Sequence, residues 1–376
     1  MISPADRALL LACRVHLDDA TADRLAGALR EVRDWDCLVR QAVAHGVAGL
    51  LSRHLRALPG NGSAPEAALA DLLTLGRATA LRNARLMAQA AEILRAAHGA
   101  GLRVMPLKGI ALLDGVYHDR SLRPMADLDL LVPPDELRPA AALLAGLGYA
   151  IDARYPGTRR LREMLLHELQ LTHAARAGRV DLHRRLVPLT GAGTARLWRA
   201  AGPRDCAGAP AWAMDDVDRL VYLAAHLHRH GWDSLSRFCD IAECVRAGGI
   251  DAERLVERAR AAGAAAATGF ALWWVREHLG ASAPAGAAEA LCPRAPEIGR
   301  ALRRGDSPVP DPASGPAERL KRQLPLLDGR VARAVAGARH AARSAAVSVL
   351  RRAFDGRPAP GGRPCGGRQA RIGGPS

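Results

Sequence analysis

Leucine and valine recur at three- and four-residue intervals through the opening of the chain, with Leu25, Leu29, Val32, Leu38, Val43, Val47, Leu50 and Leu51 marking successive apolar stripes. That period predicts amphipathic helices over residues 1–97. The turn-forming run PGNGSAP at 59–65 interrupts the pattern. A second helical stretch follows over 66–98, carrying Leu72, Leu75, Leu81, Leu86 and Leu94.

The texture changes at Gly99. LRVMPL at 102–107 reads as a short buried strand, followed by Lys108-Gly109 and a short helix. A compact apolar strand over 128–132 is closed by Pro133-Pro134, and a helix is expected over 135–147. Residues 149–153 read as a further strand. The runs 168–174 and 179–186 flank the turn-like ARAG at 175–178 and predict a β-hairpin. These elements together predict a small sheet covered by helices. Helical texture returns from Asp215 to about Leu291, and after Arg304 the chain turns rich in Pro, Gly and Arg. Within that tail, 330–352 could form an Arg/Ala helix, and the end reads as disordered.

The expected fold class is therefore α/β (α+β): a small mixed sheet with extensive helical flanks, predominantly helical overall. Its expected units are a helical region at 1–97, a core at 98–190, a helical region at 191–304 and a basic tail at 305–376.

Composition narrows the functional classes. Aromatics are only 3% of the 376 residues, so the core must be mostly Leu, Val and Ala. The formal charge of +15 suggests nucleic acid, but residues 311–376 hold 13 Arg or Lys against 4 Asp or Glu, leaving the rest only mildly basic. The tail suits a solvated segment or an anionic partner: nucleic acid, an acidic protein or an anionic membrane face. Lys108 and Lys321 are the only lysines in an Arg-dominated chain, which singles out Lys108. The 7 cysteines are scattered without a CxxC pair, against a disulfide framework or zinc finger. The N-terminus lacks a signal-peptide pattern, and the most apolar run, 261–275, is too short and too rich in Ala and Gly to predict a membrane span. A cytoplasmic protein is the expectation.

The sharpest chemical signal is Asp127-Leu128-Asp129-Leu130-Leu131-Val132. Alternation along a strand puts Asp127 and Asp129 on one face, their Cα atoms roughly 6.6 Å apart. Carboxylates so placed repel unless a cation compensates, and hard ions such as Mg²⁺ or Mn²⁺ take oxygen ligands. A strand end with a wet face is the bland alternative. Val180-Asp181-Leu182-His183 repeats the alternation, so Asp181 could join a three-carboxylate cluster suited to nucleotidyl transfer. Alternatively, Asp181 pairs with Arg179 or Arg184. Lys108-Gly109, at a strand-to-helix turn, could hold phosphates, with Arg123 assisting.

The stretch LKGIALLDGVYHDRSLRPMADLDLLV resembles the uncharacterised nucleotidyltransferase family of the polymerase-β-like superfamily. The matching features are a Leu-Lys-Gly turn, a Tyr ending the next helix, an Arg, and Asp-x-Asp in an apolar strand. VDLHRRL is similar to the family's third-carboxylate strand, and AHLHRHGWDSLSRFCDIAECV to its helical segment. RDWDCLVRQAVAHGVAGLL is similar to its opening helices, so the resemblance spans roughly residues 30–250. It implies an NTP donor, Mg²⁺ or Mn²⁺, and transfer of a nucleoside monophosphate with release of pyrophosphate. Lys108 and Gly109 would hold phosphates, Asp127 and Asp129 would ligate metal, and Asp181 would be third ligand and possible base. One departure is that Lys108-Gly109 lies farther upstream of the carboxylates than the wider superfamily's turn.

His226 and His230 have an i, i+4 zinc-ligand spacing but no obvious third ligand. They and His183 fit better as cleft-lining residues, with Trp232 and Asp240 near by. Asp240 could instead cap a helix or pair with Arg237 or Arg246. Trp273-Trp274 reads as core, and His167 and His173 as surface or near-site residues. The primary expectation is a metal-dependent nucleotidyltransferase acting on a small molecule, sugar, peptide or protein. Its rivals are a catalytically silent nucleotide-binding regulator on the same fold and a nucleic-acid binder acting through the tail.

Overall fold

A computed structural model describes residues 2–151, 168–176, 178–186, 189, 191–303 and 305–327. His167, the end of the strand read at 149–153, the helix read at 330–352 and the basic tail beyond 327 lie outside the described residues.

The N-terminal stripes fold as α1 (Pro4–Ala12), α2 (Asp19–Arg30), α3 (Trp35–Ala44) and α4 (Ala48–Ala57). Ser3, Asp18 and Asp34 cap the first three by accepting backbone N–H groups at their N-termini. After a tight turn comes α5 (Glu66–Gly99), a 34-residue spine that packs against α3 and α4 on the N-terminal side and against the sheet beyond.

The core then runs β1 (Met105–Pro106), α6 (Lys108–Leu112) with a π-helical continuation to Tyr117, β2 (Asp127–Leu131), α7 (Leu137–Gly146), β3 (Ala150–Ile151), β4 (Glu168–Thr172) and β5 (Arg179–His183). The five strands form a mixed sheet in the order β1-β2-β5-β4-β3. β2 and β5 are parallel, and the other neighbours are antiparallel. The predicted hairpin is β4–β5, and its turn closes through Gly178 at φ +90, where a Cβ would strike Leu86.

Register follows from burial. Leu128, Leu130, Val180, Leu182, Leu169 and Leu171 share one face, all buried, in the same core as Leu86, Ala90 and Leu94 of α5 and Leu137 and Leu144 of α7. Each such side chain contributes about 1.5–3 kcal/mol by leaving water. A one-residue slip would put the aspartates into that core instead, so the pairing is strongly specified. β1 is shorter than the 102–107 strand the sequence predicts, because Pro106 has no N–H to pair and Leu107, still extended with its N–H on Asp129 O at 2.9 Å, is already the N-cap of α6.

The C-terminal part begins with α8 (Gly191–Ala200) and a hairpin, β6 (Gly202–Cys206) and β7 (Ala209–Ala213), within the segment read as helical. Trp212 N donates to Val104 O at 2.9 Å, tying this hairpin to the sheet edge. Helices α9 (Asp216–Arg229), α10 (Leu235–Arg246), α11 (Ala252–Ala261), α12 (Ala265–Leu279), α13 (Ala287–Leu291), α14 (Ala295–Ala301) and α15 (Pro316–Gln323) follow. Their core collects much of the chain's scarce aromatic content: Phe238 stacks on Trp274 at 3.7 Å and Trp232 meets Phe270 edge-on at 4.7 Å. Trp273 and Trp274 are buried, as the pattern predicts. Among the described residues no helix is long and apolar enough to cross a membrane.

Candidate active site

The second face of the sheet is polar. Asp127 lies in register with Arg179, Asp129 with Asp181 and Leu131 with His183. On the far side of β5, Gln170 is opposite Asp181 and Glu168 opposite His183. Residues in register share a face, so Asp127, Asp129, Arg179, Asp181, His183, Gln170 and Glu168 project together. Beyond them Leu131 and Met105 continue the same face as an apolar patch with Leu107, Leu197, Met214 and Tyr222. The three aspartates singled out from the sequence are thus brought together. Glu168 and Gln170 were not singled out, although the polar–apolar alternation of Glu168-Leu169-Gln170-Leu171 carries their signal.

The acids are held by named cations. Lys108 Nζ donates to Asp129 Oδ1 at 2.7 Å, and His183 Nε2 lies 2.9 Å from the same oxygen. The other His183 nitrogen, Nδ1, lies 3.2 Å from Glu168 Oε2. Arg179 grips Asp181 through Nε at 2.5 Å and Nη2 at 2.9 Å, and reaches Asp127 Oδ2 at 3.3 Å. Burial pushes the Asp129 carboxyl up, but Lys108 and His183 outweigh it and hold the group below the usual carboxylate range. Asp127 moves the other way: burial raises it, and the charges of Asp129 and Asp181 add to the rise. Asp181 is also raised, burial outweighing the Arg179 clamp. The face therefore holds more negative charge than its own cations neutralise.

Backbone placement is supplied from α5 and α10. Asn83, fully buried on α5, donates from Nδ2 to Arg120 O at 2.7 Å and Arg123 O at 2.8 Å, and accepts from Met125 N at 3.2 Å. Arg82 donates to Met125 O and Ala126 O. The irregular segment leading into β2 thus has its polar groups satisfied by one helix. Arg123 forms a bidentate pair with Asp240 of α10 at 2.7 and 2.8 Å, and Tyr117 OH donates to the same carboxylate at 2.9 Å. Asp240 pairs with neither Arg237 nor Arg246, which the sequence had left open; those two hold Asp233 and Glu243. Gly109 is buried against this pair: a Cβ there would meet Met125 Sδ at 2.5 Å and Arg123 Nη1 at 3.1 Å. Beside it, Lys108 has a left-handed backbone, φ +42, a strain of the kind that marks a functional turn.

Helix α9 lays a stripe of Tyr222, His226 and His230 near the site. The ring centroids are 6.0 Å apart from Tyr222 to His226 and 4.5 Å from His226 to His230. Burial raises Tyr222, with the charge of Asp129 adding. Burial also pushes His226 well down and His230 down to about 3, with the Lys108 charge contributing to both. A small cavity of about 50 Å³ lies beside Lys108, lined by Leu107, Trp212, Arg219 and Tyr222 among others. Trp232 is elsewhere, in the aromatic core, and His173 packs edge-on against Tyr149 at 5.3 Å.

The donor set of Asp127, Asp129 and Asp181 is all oxygen and fits a hard divalent cation in type and in charge. Among the described residues no three His, Cys, Asp or Glu side chains group as a ready-made metal cage. Lys108 and Arg179 supply the positive charge there and occupy carboxylate oxygens that an ion would take.

No curated protein matches the chain. The family model described as uncharacterised nucleotidyltransferase matches residues 31–280, about two thirds of the chain, and its span contains the strand pair, the Lys108 turn, and α9 and α10. The chain belongs to that nucleotidyltransferase family.

Proposed function

We propose that this protein transfers a nucleoside monophosphate from an NTP to a hydroxyl or similar acceptor on a small molecule, sugar, peptide or protein, releasing pyrophosphate. The observation that carries the reading is the in-register placement of Asp129 beside Asp181, with Asp127 on the same face and Lys108 on Asp129. Asp127, Asp129 and Asp181 would hold Mg²⁺ or Mn²⁺, which when bound supplies neutralising charge to phosphate oxygens. Lys108, a point charge on a flexible stem, exchanges Asp129 for a phosphate oxygen of the incoming NTP. Asp181 accepts the acceptor's hydroxyl proton at a carboxylate oxygen, a role its raised proton affinity suits. The buried Arg123–Asp240 pair fixes the segment that aims Asp127 and Asp129, and so acts by positioning.

A second reading, nucleotide binding without turnover, is favoured by the Arg179 clamp on Asp181 and Asp127. One experiment separates the two: purified protein with each labelled NTP, Mg²⁺ or Mn²⁺ and a cell extract, beside the Asp127→Asn/Asp129→Asn variant. Label transfer with pyrophosphate release, absent in the variant, is the expected result. Metal-dependent NTP binding without transfer would support the silent regulator, and neither binding nor transfer would overturn the assignment.

A further inference from the structure

A cleft of about 640 Å³ opens between α4, α5 and the segment that precedes β2, sharing no residue with the carboxylate face. That volume is in the range of small-molecule sites. Arg53 and Arg56 from α4 and Arg77 from α5 line it, and among the described residues the only acid in its lining is Asp119. Asp119 lies 4.0 Å from Arg53 and uses Oδ1 to accept from Ser121 N at 2.8 Å and Ser121 Oγ at 2.7 Å. Among the described residues, neither Arg56 nor Arg77 has a carboxylate partner. Some other arginines near the surface do pair with acids: Arg7 with Glu31, Arg103 with Glu136, and Arg176 with Glu92.

The floor of the cleft carries a second, independent signal. Gly76 sits in the interior of α5, where glycine is about 0.5–1 kcal/mol less favourable than alanine. A Cβ at Gly76 would meet nothing within 4 Å, so no packing neighbour demands the glycine. Its effect is to leave open space in the cleft that the three arginines line.

We propose that this cleft binds a small molecule bearing a phosphate or diphosphate group, held by Arg53, Arg56 and Arg77. Guanidinium groups match phosphate oxygens through paired N–H donors, and two uncompensated ones suit a dianion. The site is independent of the nucleotidyltransferase reading, yet Asp119 and Ser121 place its occupant against the segment that Asn83 and Asp240 hold and that leads into Asp127.

The test is calorimetric titration of the full chain with inorganic pyrophosphate, in the parent and in four variants. Binding is expected to persist in Lys108→Ala and to weaken at least tenfold in Arg56→Glu/Arg77→Glu and in Gly76→Leu. It should change little in Arg24→Glu/Arg30→Glu, which makes the same charge change on exposed α2 positions. Unaltered melting temperatures check that the variants fold. The proposal is overturned if the parent does not bind. It is equally overturned if Lys108→Ala abolishes binding while the Arg56/Arg77 pair leaves it intact, or if the α2 pair weakens it as much.

Discussion

Asp129 and Asp181 stand side by side across a parallel strand pair, each held by a different cation: Lys108 on the first and Arg179 on the second. Lys108 reaches Asp129 from α6, whereas Arg179 shares β5 with Asp181 and also extends across to Asp127 on β2, so charge on this face is balanced both between elements and within one strand.

Removing one carboxylate should therefore remove function without unfolding the sheet. Asp129→Asn and Asp181→Asn are each expected to lower nucleotide transfer by about 10²–10³-fold, the magnitude typical of losing one preorganised electrostatic group. Pyrophosphate release with each NTP measures it. Wild-type turnover in either variant would exclude that aspartate from the centre.

Arg179 offers a test in the opposite direction. Arg179→Gln releases oxygens of Asp181 and Asp127, so affinity for Mn²⁺ should rise while thermal stability falls. Titration with Mn²⁺ followed by electron paramagnetic resonance reads the first, and a melting curve the second. Weaker Mn²⁺ binding would mean that Arg179 organises the acids instead of screening them.

Asp127→Asn should leave the melting temperature unchanged or raise it at pH 7. The folded-state pKa of Asp127 lies above its unfolded value, so its ionised form opposes folding. That opposition is present above the raised pKa and disappears as pH falls through it. Asp129 has the reverse sign: its folded pKa is depressed, so its contribution is present above the unfolded value and is lost in acid. Asp129→Asn should accordingly lower the melting temperature; about 1 kcal/mol corresponds to roughly 2–4 °C in chains above 150 residues.

Stability should also decline as pH drops from about 6.5 toward 4. Burial depresses His54 to about 4 and His278 to about 4, and His230 to about 3, so the unfolded chain takes up protons in this window that the folded chain refuses. For His54, buried with Nε2 on Arg14 O at 2.7 Å, the effect is on the order of 3 kcal/mol across the window. Urea midpoints at pH 7, 6 and 5 check it, and His54→Asn should flatten the dependence.

Asn83→Ala should cost about 2–3 kcal/mol, because it strands the backbone groups of Arg120, Arg123 and Met125 that the amide serves. Hydrogen exchange at Met125 should accelerate more than at Leu130. Uniform acceleration would show that the segment is held mainly by other contacts.

Much of this was legible in the chain itself. DLDLLV and VDLH alternate so regularly that their acids could share one face, and ARAG marked the hairpin that brings β5 into place. The β6–β7 hairpin was not legible. Its strands, GPRDC and APAWA, are rich in poor strand formers, and only the left-handed pair Ala207 and Gly208 turns the chain. The partner of Arg123 was hidden for another reason: Asp240 is 117 residues away, and no periodicity reports a pairing over that distance. Asn83 left a faint trace, as one of two buried amides, with Gln89, on a helix otherwise buried through Leu, Ile, Met, Ala and Gly.

The parallel pairing of β2 with β5 also fixes when the site can exist. Arg179 and Asp127 are 52 residues apart, and His183 and Asp129 are 54 apart, whereas Lys108 and Asp129 are separated by only 21. A nascent chain that has emerged only as far as α7 holds Lys108 and two aspartates but lacks the strand that carries Asp181. Long-range closure comes late because chain entropy opposes it. The carboxylate centre thus cannot form until β5 has emerged, and a product truncated before Arg179 retains the most recognisable motif without the site.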